Sequence, residues 1–383
     1  MVEKSIYKKW IAAVLVLILL VPSVSLLREQ CARTGGVVGL IHFGERFQES
    51  ALPEIKELAP PPVSPYGYDA QFYAPMALHP GLLDIEGNLV VTDTYRARRI
   101  GLPALAFCLG AGQPAWILHV YALLNAGFWL ILLAALIRLT GFCRFRDLLL
   151  ACALLWSTGT LGSLARALTD LPATVLGTLA ILFFQSKPII SAVLLGASGL
   201  VKETSILSFA AIPWDGKFHI KSLKKLILPG LVLCLPLALW LAFVQFRIGD
   251  GLAAGSGNFR FPFFGIAQKM YDSLQELIAQ GPARHGRRLF EFLCPVSLFI
   301  QMIYLAVKPR LSSAIWRFGF GFAVLLAVLG TSVWAEQYAY ARVLLPLTFS
   351  FNLLIHQHES GRRFGLWYLL GNGGMCWLLF TAF

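Results

Sequence analysis

The chain has 383 residues, 57% of them hydrophobic and 14% charged, with a mean hydropathy of +0.69. A soluble domain carries about 25% charged residues, so this composition excludes a soluble globular enzyme and a disordered chain and indicates a multi-pass membrane protein. The net charge of +12 then reports basic cytoplasmic loops, not nucleic acid, because no basic-aromatic platform or nucleic-acid motif accompanies it.

The chain begins with Lys4, Lys8 and Lys9 ahead of an apolar run over 10–27. This run is a first span or a signal peptide, and its length favours a retained anchor. Either reading puts the following segment outside the cytoplasm. Eleven apolar segments can be traced, at 10–27, 116–138, 147–168, 171–185, 188–201, 204–213, 226–246, 289–307, 316–334, 343–356 and 364–383. The fold class expected is an all-α polytopic membrane protein with about eleven transmembrane helices and its N-terminus inside. It forms a single membrane domain over 1–383. The parts are a first helix (10–27), a long first extracytoplasmic loop with interfacial helices (28–115), a helical core (116–246), a second outer loop (247–288) and C-terminal helices (289–383). The pieces 171–185, 188–201 and 204–213 are short for full crossings, so broken helices or a re-entrant pair are expected there, shielded by protein.

The loops test the orientation. The inner ones hold Arg138, Arg144 and Arg146, then Lys187, then Lys217, Lys221, Lys224 and Lys225, then Lys308 and Arg310, then Arg362 and Arg363. Each is basic, as the positive-inside bias requires. No internal repeat is visible, which argues against transporter folds built from duplicated halves. His356 and His358 are expected to be solvated in a basic inner loop. The seven cysteines show no metal spacing. Only Cys31 and Cys108 fall in the large outer loop, where the one disulfide to consider would join them.

Loop 28–115 is the informative segment. It holds Glu29, Glu45, Glu49, Glu54, Glu57, Asp69, Asp84, Glu86 and Asp93, nearly half of the chain's 20 acidic residues. The proline-rich stretch 59–65 makes an extended approach to GYDAQFYAPMALHP at 67–80. Arg96, Arg98 and Arg99 then precede a short apolar stretch at 100–110. A helix lying in the outer interface suits that stretch, with the arginines facing lipid headgroups.

Several polar groups are candidates for chemistry. Asp69 lies among Tyr66, Tyr68, Phe72 and Tyr73, with Gln71 beside it. A carboxylate in such a setting suits a general base, and the rings suit a sugar or an acyl-chain entrance; the competing reading is an interfacial aromatic belt with a capping Asp. Asp170 precedes Pro172 and reads equally as a helix cap. Arg166 would share a face with it if the helix ran that far. Lys202 and Glu203 interrupt an apolar stretch, where ionisable groups are expensive, or they form a self-paired turn. Tyr340 and Arg342 end another span beside Glu336; Arg342 suits a phosphate or snorkels. All these groups map to the outer side under a topology chosen from other residues. No HExxH, P-loop or nucleophile elbow is present.

The sequence GYDAQFYAPMALHP, followed by Asp93-Thr94-Tyr95-Arg96-Ala97-Arg98-Arg99, resembles the YDGQFY…DP and YRxxRxLxP patterns of a group of bacterial multi-pass proteins assigned to cell-surface glycopolymer formation. Their layout is similar to the C-type glycosyltransferase superfold (GT-C), which includes protein mannosyltransferases and aminoarabinose transferases. As motif, the resemblance covers about residues 66–103, with weaker echoes at 169–172, 202–204 and 340–346. Ala70 stands where the group usually has Gly, and Gly101 replaces an apolar residue. The resemblance implies a membrane-embedded transferase in a bacterial inner membrane, working at the extracytoplasmic face. It implies a polyprenyl-phosphate sugar as donor and co-substrate, and a glycan, lipid or protein as acceptor. Asp69 would be the catalytic carboxylate, assisted by Asp170. Tyr68, Gln71, Tyr73, Arg96, Arg98, Arg99, Lys202, Glu203, Tyr340 and Arg342 would bind substrate, the cations holding the leaving phosphate. No cofactor is certain; some superfold members use a divalent metal and others do not, and the spacing around Asp69 and Asp170 does not imply one. The alternatives are a transporter or flippase for a lipid-linked saccharide and a non-catalytic assembly subunit.

Overall fold

The computed structural model describes residues 2–142, 144–184, 186–212, 220–249, 256–279, 285–336 and 339–376. Lys217, Cys143 and the 377–383 end of the last apolar segment lie outside the described residues. Among the described residues all the regular structure is helical and there is no strand, only two isolated bridges.

Helix α1 (Val2–Arg33) leads into the long loop, which carries α2 (Glu45–Glu49), α3 (Pro53–Leu58), α4 (Ala74–Leu78), α5 (Thr94–Ala97) and α6 (Gly101–Leu109), with 3-10 turns at Val38–Ile41 and Asp69–Phe72. Next come α7 (Pro114–Thr140), α8 (Phe145–Leu155), α9 (Thr158–Ala165), α10 (Asp170–Phe183) and α11 (Pro188–Val201). A 3-10 helix (Glu203–Ala211) precedes α12 (Ile220–Ile248). A 3-10 turn (Ser256–Asn258) leads to α13 (Phe264–Ala279) and α14 (His285–Val307). The chain continues through α15 (Ala314–Val328), α16 (Thr331–Ala335), α17 (Ala339–Val343), α18 (Leu345–His358) and α19 (Gly361–Asn372).

By length and composition, four helical stretches suit a membrane crossing: Ala13–Arg33, Pro114–Thr140, Ile227–Ile248 and Gly286–Val307. A fifth is the pair α8 and α9, bent by 50°. The bend falls at Ser157, whose hydroxyl accepts the Thr160 N–H and caps α9 anew. Helix α18 is buried continuously from Leu345 to Ile355. A helix buried on all sides marks the centre of a bundle, and α8, α10, α14, α15 and α19 surround it. The faces of α1 and α12 carry exposed aliphatics, among them Leu17, Val21, Leu231 and Leu239.

Three apolar helices are short: α10 and α11 have 14 residues each and α15 has 15. At 1.5 Å per residue they are about 20–22 Å long. Helices α10 and α11 pack as a hairpin, and Asp170, Lys202 and Leu329, at one end of each, line the same cavity. The 3-10 helix returns from that end. The Arg317 guanidinium, near the far end of α15, donates to the carbonyls of Ala210 (2.9 Å) and Ala211 (3.0 Å).

Several expectations are corrected. Arg99 does not face lipid headgroups; it is buried against Glu203, with α6 starting just after it. His356 is not solvated, since its Nε2 bonds Asp147 Oδ1 at 2.8 Å with Asp147 fully buried. Cys31 and Cys108 are free thiols. Helix α9 stops at Ala165, so Arg166 and Asp170 share no helix.

Candidate functional site

The first loop is pinned by local bonds that dictate where Asp69 stands. Gly67 has φ +65°, and a Cβ there would stand 2.3 Å from Gln71 Oε1 and 2.5 Å from the His42 carbonyl oxygen. Only glycine meets both demands. Gln71 Oε1 accepts the Gly44 N–H (2.9 Å) and its Nε2 donates to the Tyr66 carbonyl (2.8 Å). Gln71 therefore holds the loop and does not line the cavity. Downstream, Asp93 caps α5 by accepting the Tyr95 N–H (2.9 Å) and pairs with Arg96. That cap sets Arg96 beside Asp69, Nη2 to Oδ1 at 3.2 Å, with the Arg96 guanidinium 4.0 Å above the Phe72 ring.

The other polar groups come from the ends of the short helices. Asp170 opens α10, Lys202 closes α11, and Arg342 lies in the last turn of α17. Lys202 Nζ donates to Asp170 Oδ1, and Arg342 Nη1 donates to Oδ2 at 3.1 Å. All three are buried. The neighbouring Glu203 does not pair with Lys202. It accepts two parallel bonds of 2.8 Å from Arg99, whose remaining Nη1 donates to the Tyr73 hydroxyl at 2.7 Å. Gly101 makes this possible. A Cβ there would lie 2.7 Å from Val201 Cγ2 and 2.8 Å from the Val201 nitrogen, so its absence lets α6 close on the end of α11.

These groups surround one cavity of about 640 Å³. Its lining includes Asp69, Tyr73, Arg98, Arg99, Asp170, Lys202, Glu203 and Arg342 from the sequence-derived set. Tyr68 and Arg96 stand directly behind it. The Tyr68 hydroxyl donates to Glu336 and accepts from Arg342 Nη2 at 3.0 Å. Its ring is flanked by the Arg166 guanidinium at 4.6 Å and that of Arg342 at 5.2 Å. Tyr340 is fully buried and stacks on Trp334 with centroids 4.8 Å apart, away from the cavity.

Burial pushes the Tyr68 phenol up from its ordinary pKa and Glu336 adds to the rise, against Arg342, so the group stays a neutral donor. Burial raises the Tyr73 phenol too. Burial opposes the Arg99 charge, but Glu203 together with Tyr73 and Tyr95 holds the guanidinium's pKa well above its usual value. The lining carries four carboxylates (Asp69, Asp170, Glu203, Glu336) and four cations (Arg98, Arg99, Lys202, Arg342); within it Asp170 pairs with Lys202 and Arg342, and Glu203 with Arg99. Asp170 is held by two of those cations and orients them, while Asp69 keeps about a third of its side chain exposed. Among the described residues, no group of three His, Cys, Asp or Glu side chains is placed to hold a metal ion.

Sequence reasoning missed Tyr95, Asn258, Phe259 and Ser332 on the cavity wall, and Arg166 behind Tyr68 as a site residue. Phe259 had a signal, since it begins the aromatic run Phe259-Arg260-Phe261-Pro262-Phe263-Phe264. Tyr95 had one too, since it stands in the motif stretch 93–99, and Arg166 was noted only for its spacing from Asp170; Asn258 and Ser332 have none, because their approach depends on contacts distant in sequence. Comparison with protein-family models, curated proteins and solved structures gave no match.

Proposed function

We propose that the protein is a membrane glycosyltransferase that moves a sugar from a polyprenyl-phosphate donor to an acceptor at the outer face. The observation that carries this reading is the meeting of Asp69, Asp170, Lys202 and Arg342 around one cavity, from elements far apart in the chain. The orientation is read from charge. Arg144, Arg146, Lys187, Lys308 and Arg310 belong to loops and helix starts outside the cavity lining, and such basic ends support a cytoplasmic position for them and an extracytoplasmic one for the cavity. The eleven apolar segments correspond to α1, α7, the α8–α9 pair, α10, α11, the 3-10 helix, α12, α14, α15, the α17–α18 pair and α19, and each is taken as one crossing.

In the reaction, the acceptor hydroxyl oxygen attacks the anomeric carbon as the carbon–oxygen bond to phosphate breaks. Asp69 takes the hydroxyl proton. The lipid phosphate leaves with the bonding electron pair, and Lys202 and Arg342 receive its charge. Cations fixed in advance by their pairing with Asp170 stabilise such developing charge. Asp170 is a positioning residue that keeps the two cations together. Direct displacement inverts the anomeric centre.

The test supplies purified protein in lipid with a panel of polyprenyl-phosphate sugars and compares wild type with Asp69→Asn. Sugar transfer by the wild type and its loss in the variant is the expected result. Equal transfer by both removes Asp69 as the base. No transfer from any donor, with scrambling of lipid-linked sugar across the bilayer, overturns the enzyme reading in favour of a flippase.

A further inference from the structure

Four phenylalanines beside the cavity are turned outward. Phe259, Phe261, Phe263 and Phe264 are 52%, 81%, 47% and 52% exposed. The segment is fixed, not loose. The Arg260 N–H bonds the Val328 carbonyl at 3.0 Å, the Phe263 N–H bonds the Ala327 carbonyl, and the Ala267 N–H bonds the Phe263 carbonyl at 3.0 Å. Phe263 is held at φ +65°, a conformation that costs a bulky residue energy. In water, a rigid segment that exposes four aromatic rings would form an apolar patch needing a partner.

The height of the segment identifies the partner. Helix α15 starts at Ala314 next to the basic Arg310 and Arg317, and the segment is tied to Ala327 and Val328. That separation is about 20 Å along the helix, whereas the hydrocarbon layer is about 30 Å thick. With Arg310 and Arg317 at the inner headgroups, the rings stand within the outer half of the apolar layer. The following helix is divided accordingly. In α13, Gly265, Ile266 and Ser273 face the protein, while Phe264, Ala267, Tyr271 and Leu274 form an exposed apolar stripe distinct from exposed Gln268, Asp272, Gln275 and Glu276. A helix facing protein, apolar solvent and water on three sectors belongs at a bilayer boundary.

We infer that the segment from Phe259 to Phe264 is a lipid-facing lip inserted among the acyl chains of the outer leaflet. Phe259, which also lines the cavity, is where lipid and cavity meet. The inference requires that the chain crosses a bilayer with its Arg310 end inside, but not that it transfers a sugar, so it stands or falls apart from that reaction.

The experiment places photoreactive benzoylphenylalanine at Phe261, at Phe264, or at Ile85, which is 93% exposed in the first loop. The full-length protein is illuminated in phospholipid nanodiscs and its adducts are weighed by mass spectrometry. Phospholipid adducts at positions 261 and 264, at least tenfold above position 85, are expected. Crosslinks to a second copy of the chain in place of lipid overturn the inference, as do lipid adducts no more frequent than at position 85. Two positions are used so that one poorly folded variant does not leave the question open.

Discussion

Arg99 and Glu203, 104 positions apart, are joined by two parallel hydrogen bonds of 2.8 Å. This fork ties the first loop to the end of α11 and so fixes the cavity wall. Both groups are largely buried, with side-chain exposures of 8% and 18%. Removing one partner leaves the other as a buried, unpaired charge, which costs about 3–5 kcal/mol. Glu203→Gln and Arg99→Met are each expected to lower the melting temperature in detergent substantially. The double variant should be more stable than the sum of the two losses implies. A strictly additive double-mutant cycle would show that the pair is not coupled.

Arg342 is predicted to be the less replaceable of the two cations on Asp170. It alone also reaches the Tyr68 hydroxyl, at 3.0 Å. Lysine offers no planar fork and cannot make both contacts. In the transfer assay, Arg342→Lys should reduce kcat by about 10²–10³-fold, the loss typical of a charge-stabilising donor. Unchanged kcat with a raised KM would assign Arg342 to ground-state binding alone.

Asp69→Asn should lower turnover by about 10²–10⁴-fold, the range attributed to a general base. Asp84→Asn serves as the comparison, because Asp84 lies in the same loop and bonds only its own turn, to Glu86 and Asn88. Equal loss in both variants would point to general disruption of the loop.

Gly101→Val is predicted to separate α6 from α11. The new side chain would have to displace the Val201 backbone nitrogen, which lies 2.8 Å from the Cβ position. Overpacking of this kind costs about 1–3 kcal/mol. Because Lys202 follows Val201, transfer activity should fall together with stability. Gly101→Ser, equally β-substituted, should show the same direction, whereas Gly365→Ala, in open space, should change neither.

The fold should lose stability in mild acid. Burial, helped by the Arg166 charge, pushes the His42 pKa down to about 4. In the unfolded chain it titrates near its ordinary 6.5. Between these values the unfolded state binds the extra proton. The contribution is therefore complete above about pH 6.5 and declines as the pH falls towards 4. Thermal melts at pH 7.5 and 5 should differ by less in His42→Gln than in wild type. An identical difference would show that His42 does not carry the effect.

How much of this could be read from the sequence depends on the kind of signal. Apolar runs between basic loops marked the helices well: the segment read at 188–201 is helix α11 without adjustment, and 171–185 is α10 within two residues. The run at 204–213 was visible as apolar, but periodicity over so few residues does not distinguish a 3-10 helix from a short α-helix. Asp69, Asp170, Lys202 and Arg342 were legible as costly ionisable groups on one side. Their pairing was not. Asp170 meets Lys202 across 32 positions and Arg342 across 172, and only the packing of α10 against α11 and α17 decides that. Gln71 and Tyr340 carried the right chemistry for a site, yet backbone demands in one case and ring stacking in the other draw them behind its wall.

The short helices α10, α11 and α15 have an electrical consequence. They leave roughly 20 Å of insulating protein beneath the cavity floor, against about 30 Å for the surrounding bilayer. If water fills the cavity, most of the transmembrane voltage drops across that thinner layer. Under the proposed function, a phosphate drawn down to Lys202 and Arg342 then crosses only a small part of the field, so binding an anion there should respond weakly to membrane potential. The near balance of acids and cations on the wall has the same effect at rest, since a neutral set of fixed charges gives the field little to pull on.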